Sequence, residues 1–255
     1  MSHETNLPEE VRFARAYQQY QRRGLAAACV LILLGAASFA VDLPLLAFLR
    51  RLFAACNWKW LLGSIVRAEV FGHASGVLFV LTAIAVLDPD RRRFLPRTAT
   101  CVIGVGLVAN LIKVVVSRSR PTATSDQVSD VFATFQGWFA SLEMGSSAQS
   151  FPSAHTACAV AMAICLCSLY PRGRAYFWFL AALTGLSRVV ATDHFPSDVL
   201  FGAAAACLTV FLFGPLLNPV FQWIEKRDAS DETSADADSR LGDAATSSSQ
   251  RDQAA

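Results

Sequence analysis

Charged side chains are scarce in this chain. They make up 16% of its 255 residues, where an ordinary soluble domain carries about 25%. Several long stretches hold almost none, while the gaps between them are crowded, a pattern that excludes a soluble globular surface and points to a membrane-spanning chain. Strict alternation of apolar and polar residues is missing too, which excludes a transmembrane barrel; continuous apolar runs satisfy their own backbone in lipid as helices. A disulfide framework is absent. The seven cysteines are odd in number and scattered, with Cys29, Cys101, Cys158, Cys165, Cys167 and Cys207 in apolar runs and Cys56 in a loop. Cys165 and Cys167 have no polar neighbours that would complete a metal site, so the six in apolar runs read as small buried hydrophobes. There is no internal repeat, and a net charge of only +2 gives no sign of a nucleic-acid partner.

What is present is hydrophobicity, 54% of residues, gathered into six segments: 25–41, 70–87, 99–116, 155–170, 174–192 and 198–223. A bilayer core needs about 20 apolar residues per helix, so the expected fold is an all-α bundle of six transmembrane helices. The fourth segment is short, Lys113 lies inside the third, and the first has room to extend through "DLPLLAFL". With the gaps assigned alternately and the N-terminus inside, the inner side collects Arg12, Arg15, Arg22, Arg23, Arg91, Arg92, Arg93, Arg97, Arg172, Arg174, Lys226 and Arg227. The outer side holds fewer cations: Arg50, Arg51, Lys59, Arg67, Arg118, Arg120 and Arg188. Both termini are therefore expected in the cytoplasm. The stretch "RRGLAAACVLILLGAASFA" imitates a secretory signal, but the polar lead before it is long and five further spans follow, which favours an uncleaved first span. The expected organisation is a cytoplasmic segment 1–24, a membrane domain 25–225 and a disordered cytoplasmic tail 226–255, polar and poor in aromatics.

Three polar islands fall in the outer gaps. "KVVVSRSRP" follows span three; on a continuing helix, residues seven apart lie within about 20° of each other, so Lys113 and Arg120 are expected on one face, with Arg118 pointing elsewhere. Each cation taken singly reads as a snorkelling anchor, but Lys113 is inside the span, where charge faces a cavity or a partner. "FPSAHTA" precedes span four. Ser153 suits a helix N-cap, and the N–H groups of a helix start, Ala154 included, favour anions; His155 lies just inside. "SRVVATDHFPSD" joins spans five and six. There Asp198 is four residues from His194, close enough to hold one imidazole nitrogen and leave the other as nucleophile or base, and Arg188 ends span five. His3, in a polar tail, and His73, alone near the start of span two, read as structural. Three cations, a helix start, two imidazoles and a carboxylate suit an anion with several oxygens, and phosphoryl transfer, which is mostly positioning and charge neutralisation, fits such a set.

Taken together, "KVVVSRSRP", "PSAH" and "SRVVATDHFPSD" resemble the three motifs of the type 2 phosphatidic acid phosphatases, KxxxxxxRP, PSGH and SRxxxxxHxxxD, in one superfamily with the vanadium haloperoxidases. Thirty residues separate the first two motifs and 31 the second two. The resemblance implies a metal-independent membrane phosphatase without cofactor, acting on a lipid phosphate monoester or diphosphate at the extracytoplasmic face of a bacterial inner (plasma) membrane. It implies that Lys113, Arg120 and Arg188, with Ser153 and the Ala154 N–H, bind phosphate oxygens. His194 would attack phosphorus to give a phosphohistidine, Asp198 would orient it, and His155 would protonate the leaving oxygen and later activate water. The family's usual glycine is Ala154 here, a departure that matters only if the position needs φ > 0 or a very close ligand approach.

The outer islands offer no carboxylate cluster suited to magnesium; "DPD", Asp88 to Asp90, falls on the inner side beside three arginines. "VFATFQGWF" in the outer loop reads as an interfacial piece near the site entrance, against the alternative of a core-packing turn, and Trp58 and Trp60 read as interfacial anchors. Two rival functions remain. A non-enzymatic transporter or binder of lipid phosphates would need the cations but not the His194–Asp198 pair, and a haloperoxidase would hold vanadate in the same place. The motifs read a phosphate and not its carrier, so they leave open phosphatidic acid, phosphatidylglycerophosphate, a polyprenyl diphosphate and lipid A, and they are silent on oligomeric state.

Overall fold

The structure, a computed structural model, describes residues 9–55 and 67–213. The predicted tail 226–255, the last ten residues of span six, Cys56, Trp58 and Trp60 lie outside the described residues.

Every predicted apolar segment is helical through most of its described length. Helix α1 spans Glu9–Ala55, much longer than segment 25–41, because the polar lead is rich in Glu, Arg, Gln and Ala, all good helix formers; it carries Pro44 within it. Helices α2 (Ala74–Leu87), α3 (Leu95–Val115), α4 (Ser141–Met144), α5 (Ala154–Leu169), α6 (Arg174–Val190) and α7 (Pro196–Phe213) follow. Three helical stretches, Arg23–Ala55, Pro89–Val115 and Pro196–Phe213, are long and apolar enough to cross a bilayer by themselves; Ala74–Leu87 and Ala154–Leu169 are apolar but shorter.

Helix α5 lies at the centre of the bundle. Every residue from Ala159 to Leu169 is buried, and the sequence explains how: Ala and Cys alternate with a few larger side chains, so neighbouring helices approach closely. Around it, helices turn one face inward and one to lipid. On α3 the inward stripe is Arg97, Cys101, Val105, Ala109 and Lys113, each four residues on from the last, one helical face. The opposite face exposes Ile103, Leu107 and Leu111, as a lipid-facing surface should. Cys101, Cys165, Cys167 and Cys207 are buried as expected, whereas Cys158 is half-buried and Cys29 is on the surface.

The structure departs from the sequence reading where motif one leaves the membrane. The helix does not continue: α3 stops at Val115, and Val116–Arg118 forms strand β1. A run of three β-branched valines disfavours the helix and suits a strand, and Pro121 closes the way to a helix beyond. Strand β1 pairs antiparallel with β2 (Phe135–Trp138), Val116 opposite Trp138 and Ser117 opposite Gly137, with an irregularity before Arg118. The aromatic stretch "VFATFQGWF" therefore forms a short turn and a strand. Phe132, Trp138 and Phe139 are exposed while Thr134 is buried, so the segment is both an outer apolar surface and a support for the loop beneath it.

Candidate active site

Lys113 and Arg120 are not brought together by a shared helical face. Lys113 ends the buried stripe of α3 and is 7% exposed. Arg120 follows the strand, its N–H donating to the Ser147 carbonyl at 2.8 Å. The chain turns between them, and both cations come within electrostatic reach of His194 and of each other.

Ser153 caps α5. Its Oγ accepts from the Thr156 N–H at 3.5 Å and from the Thr156 hydroxyl at 3.0 Å, leaving the helix start, Ala154 and His155, at the site. Ala154 is the first helical residue of α5, and among the described residues the non-glycine ones with positive φ are Phe139 and Thr192. The glycine of the resembling motif is thus not required by the backbone here.

The third island is a helix end, a reversal and a helix start. Helix α6 closes with Thr192 in the left-handed region, φ 57°, the position usually given to glycine after a helix C-terminus. That reversal lets the Asp193 and His194 N–H groups both donate to the Arg188 carbonyl at 3.2 Å. Pro196 then opens α7, its missing N–H costing nothing there, and sets Asp198 in the first turn.

The three islands meet at one end of the bundle. The Asp193 carboxylate lies between Arg120, at 3.4 Å, and Arg188, which it also pairs. The Nε atoms of Arg120 and Arg188 are buried with no hydrogen-bond partner among the described residues. His194 is 2% exposed, and its Nδ1 lies 2.7 Å from the Ser150 carbonyl oxygen. A carbonyl only accepts, so Nδ1 carries the hydrogen and the ring's lone pair is on Nε2. Asp198 stands 3.8 Å from Nδ1, beyond hydrogen-bonding distance; it reaches His194 through Ser150, whose hydroxyl donates to Asp198 at 2.6 Å. The Asp198 carbonyl accepts from the Ser153 N–H at 2.9 Å, joining the second island to the third. Burial pushes the His194 imidazole below its ordinary value; Asp198 opposes that shift, while Lys113 and Arg120 add to it.

Several contributors were not identified from sequence. Arg118, expected to point elsewhere, points into the core and is wholly buried against Asp42, Ser197 and Asp198. The turn Arg67–Gly72 before α2 forms a fourth island: Glu69 pairs with Arg188, and Gly72 lies so close to α5 that an added Cβ would stand 2.1 Å from the His155 carbonyl oxygen. His73 does cap α2, its Nδ1 accepting from the Ser75 N–H at 3.2 Å. It is not alone, however: its ring stacks on His155, centroids 5.6 Å apart and planes 14° from parallel. An almost wholly apolar groove of about 320 Å³ starts beside Ser153, at Phe151 and Pro152, and runs past Ile112 and Phe201 to Leu212.

A helical membrane bundle with a polar site at one end, assembled from the loops that join its spans, is the class that the fold and site define. Residues 94–221, half of the chain, match the model of the PAP2 superfamily, and the chain belongs to that superfamily. Its sequence is 36% identical over 116 residues to a lipid A 1-phosphatase of Rhizobium johnstonii, covering 44% of this chain and 45% of that protein. It is also 36% identical over 105 residues to a lipid A 1-phosphatase of Rhizobium etli, covering 41% of this chain and 42% of the relative. The match thus spans less than half the length of either relative. The fold is shared with the crystal structure of a transmembrane PAP2-type phosphatidylglycerolphosphate phosphatase from Bacillus subtilis, at a TM-score of 0.54 and 20% identity, over 78% of this chain and 98% of that one. The protein is an integral membrane protein.

Proposed function

We propose that the protein is a metal-independent lipid phosphatase that releases phosphate from a lipid phosphate monoester or diphosphate through a phosphohistidine. The observation that carries this reading is the placing of His194, with its lone pair on Nε2, beside the cations Lys113 and Arg120. Lys113, Arg120, Arg188, Ser153 and the Ala154 N–H hold the phosphoryl oxygens. The Nε2 lone pair forms the N–P bond as the P–O bond to the lipid breaks, and the departing oxygen takes a proton from His155. Water then attacks phosphorus and gives its proton to His155, and the N–P electron pair returns to His194. Transition-state charge stays on the phosphoryl oxygens, where fixed cations stabilise it best.

The apolar groove beside Ser153 gives an apolar tail a route alongside the site. The names of the relatives favour a lipid A 1-phosphate as the first substrate to test. The distribution of Lys and Arg supports an active site on the extracytoplasmic face and cytoplasmic termini, and the bacterial sources of the relatives favour a bacterial inner membrane. Phosphate release from lipid A, phosphatidic acid, phosphatidylglycerophosphate and undecaprenyl diphosphate, assayed in detergent with excess chelator, tests the proposal. Turnover of at least one, unchanged by the chelator, is expected. Binding of these lipids without release of phosphate from any of them would leave a transporter or binder instead.

Two further results are expected. Since burial holds His194 below its ordinary value of 6.5, the ring stays neutral as pH falls through 6.5 and protonates only below it. Imidazole ¹⁵N shifts in detergent micelles will report this; a ring already half charged at pH 6.5 contradicts it. Because Ala154 is helical, Ala154→Gly changes kcat/KM by less than about threefold and lowers stability by up to about 1 kcal/mol, measured as a small drop in Tm.

A further inference from the structure

Helix α1 lies outside the residues that match the superfamily model, yet it reaches the site. Asp42 is fully buried in that helix. Its carboxylate accepts from Arg118 Nη2 at 2.8 Å, from the Ser197 N–H at 3.1 Å, and from the Ser197 hydroxyl. Arg118 is equally buried, and each of its nitrogens is engaged: Nε donates to Thr134 Oγ1 at 2.9 Å, Nη1 to Ser197 Oγ at 2.7 Å and to Asp198 Oδ1 at 2.6 Å, and Nη2 to Asp42. Phe39, Phe135 and Phe195 surround the guanidinium, their ring centroids 4.1 to 5.4 Å from it. Asp198 is in turn saturated, by Arg118 on Oδ1 and by Ser150 Oγ and the Phe195 N–H on Oδ2.

We infer that Asp42 and Arg118 are positioning residues for the nucleophile: a buried pair, anchored in the first helix, that fixes Asp198 and through Ser150 sets the imidazole of His194. This rests on the function proposed above and adds to it a role for the first span. Geometrically, the chain Asp42–Arg118–Asp198–Ser150–His194 is hydrogen-bonded throughout, and none of its first four members faces solvent, so a change at Asp42 is transmitted and not relaxed by water. Electrostatically, two carboxylates share one guanidinium, leaving one net negative charge beside a ring that becomes cationic as its Nε2 bonds to phosphorus. Neither Asp42 nor Arg118 touches the substrate. The inference also requires that the first span stay with the mature protein, because cleavage within it would leave Arg118 and Ser197 buried without their partner, an expensive state.

The test uses the full chain in detergent with the lipid phosphate that the wild type hydrolyses fastest. Asp42→Asn keeps the shape and removes the charge. It is expected to lower kcat about thirtyfold or more, the scale of a nucleophile misplaced by a fraction of an ångström. KM and inhibition by inorganic phosphate should stay within about threefold, since Lys113, Arg120 and Arg188 are untouched. Asp42→Glu should recover part of the loss. Should Asp42→Asn fold poorly, Asp42→Glu serves in its place: it keeps the charge beside Arg118 but displaces the carboxylate, and the positioning role predicts a folded protein with kcat below wild type. Wild-type kcat in Asp42→Asn, or in Asp42→Glu where Asp42→Asn does not fold, overturns the inference and reduces the pair to a structural one. A wild type that hydrolyses none of the lipids is a different result, and overturns the proposed function itself.

Discussion

His194→Ala is expected to lower phosphate release by about four orders of magnitude or more, the scale seen when a covalent nucleophile is removed, while the protein stays folded. The reason is in the hydrogen bond to Ser150. With Nδ1 committed to a carbonyl at 2.7 Å, the ring has one lone pair, on Nε2, and no neighbour can replace it. Asp198 is buried and saturated, so it cannot act as a substitute nucleophile. His155 lies within electrostatic reach but is expected to serve the leaving group. Acid-sensitive, base-stable phosphoprotein should form from ³²P-labelled lipid substrate in the wild type and be missing from His194→Ala and from the closer isostere His194→Gln. The cations survive both substitutions, so substrate should still bind. A variant that keeps more than about a hundredth of wild-type kcat would show that the bond to phosphorus is made elsewhere.

What could be read from sequence follows a simple physical rule: charge is legible where it is expensive. Long apolar runs announce helices because nothing else satisfies the backbone in lipid, and all six appear. Lys113, Arg188 and the two histidines stood out because their surroundings were apolar. Asp42, which the sequence reading passed over, obeys the same rule: it is the only acidic residue between Glu10 and Glu69, and an acidic residue inside a span signals a partner. Its partner, Arg118, is 76 residues away, and no local pattern names it. Lys113 and Arg120 were placed on one face by assuming an unbroken helix; the valine run that ends α3 was a warning whose strand only the pairing with Phe135–Trp138 makes visible. His73 seemed isolated because stacking between rings on different helices leaves no periodicity. Glu69 was overlooked for a similar reason, its charge lying at a span end where anchors are common.

Glycines are the least legible, because a glycine in a span reads only as a small residue. Gly202 on α7 is the sharpest case. A Cβ added there would stand 2.4 Å from the Ser153 carbonyl oxygen and 3.2 Å from its carbon. These atoms are backbone and cannot swing aside as a side-chain tip would. Gly202→Ala must therefore move α7 away from the start of α5, and the hydrogen bond between the Asp198 carbonyl and the Ser153 N–H, one turn earlier on α7, lies in the path of that movement. Overpacking of this kind costs about 1–3 kcal/mol, seen as a lower Tm. The functional loss should be larger than that cost suggests, because a shift near 1 Å between the nucleophile and the phosphate-holding helix start lowers kcat/KM about a hundredfold. Gly104, which has no atom within 4 Å of an added Cβ, supplies the control: Gly104→Ala makes the same chemical change on a lipid-facing surface and should leave kcat/KM as it is. If Gly202→Ala behaves like Gly104→Ala, the contact between α7 and the start of α5 does not hold the site together, and the alignment of Ser153 with His194 must come from the loops alone.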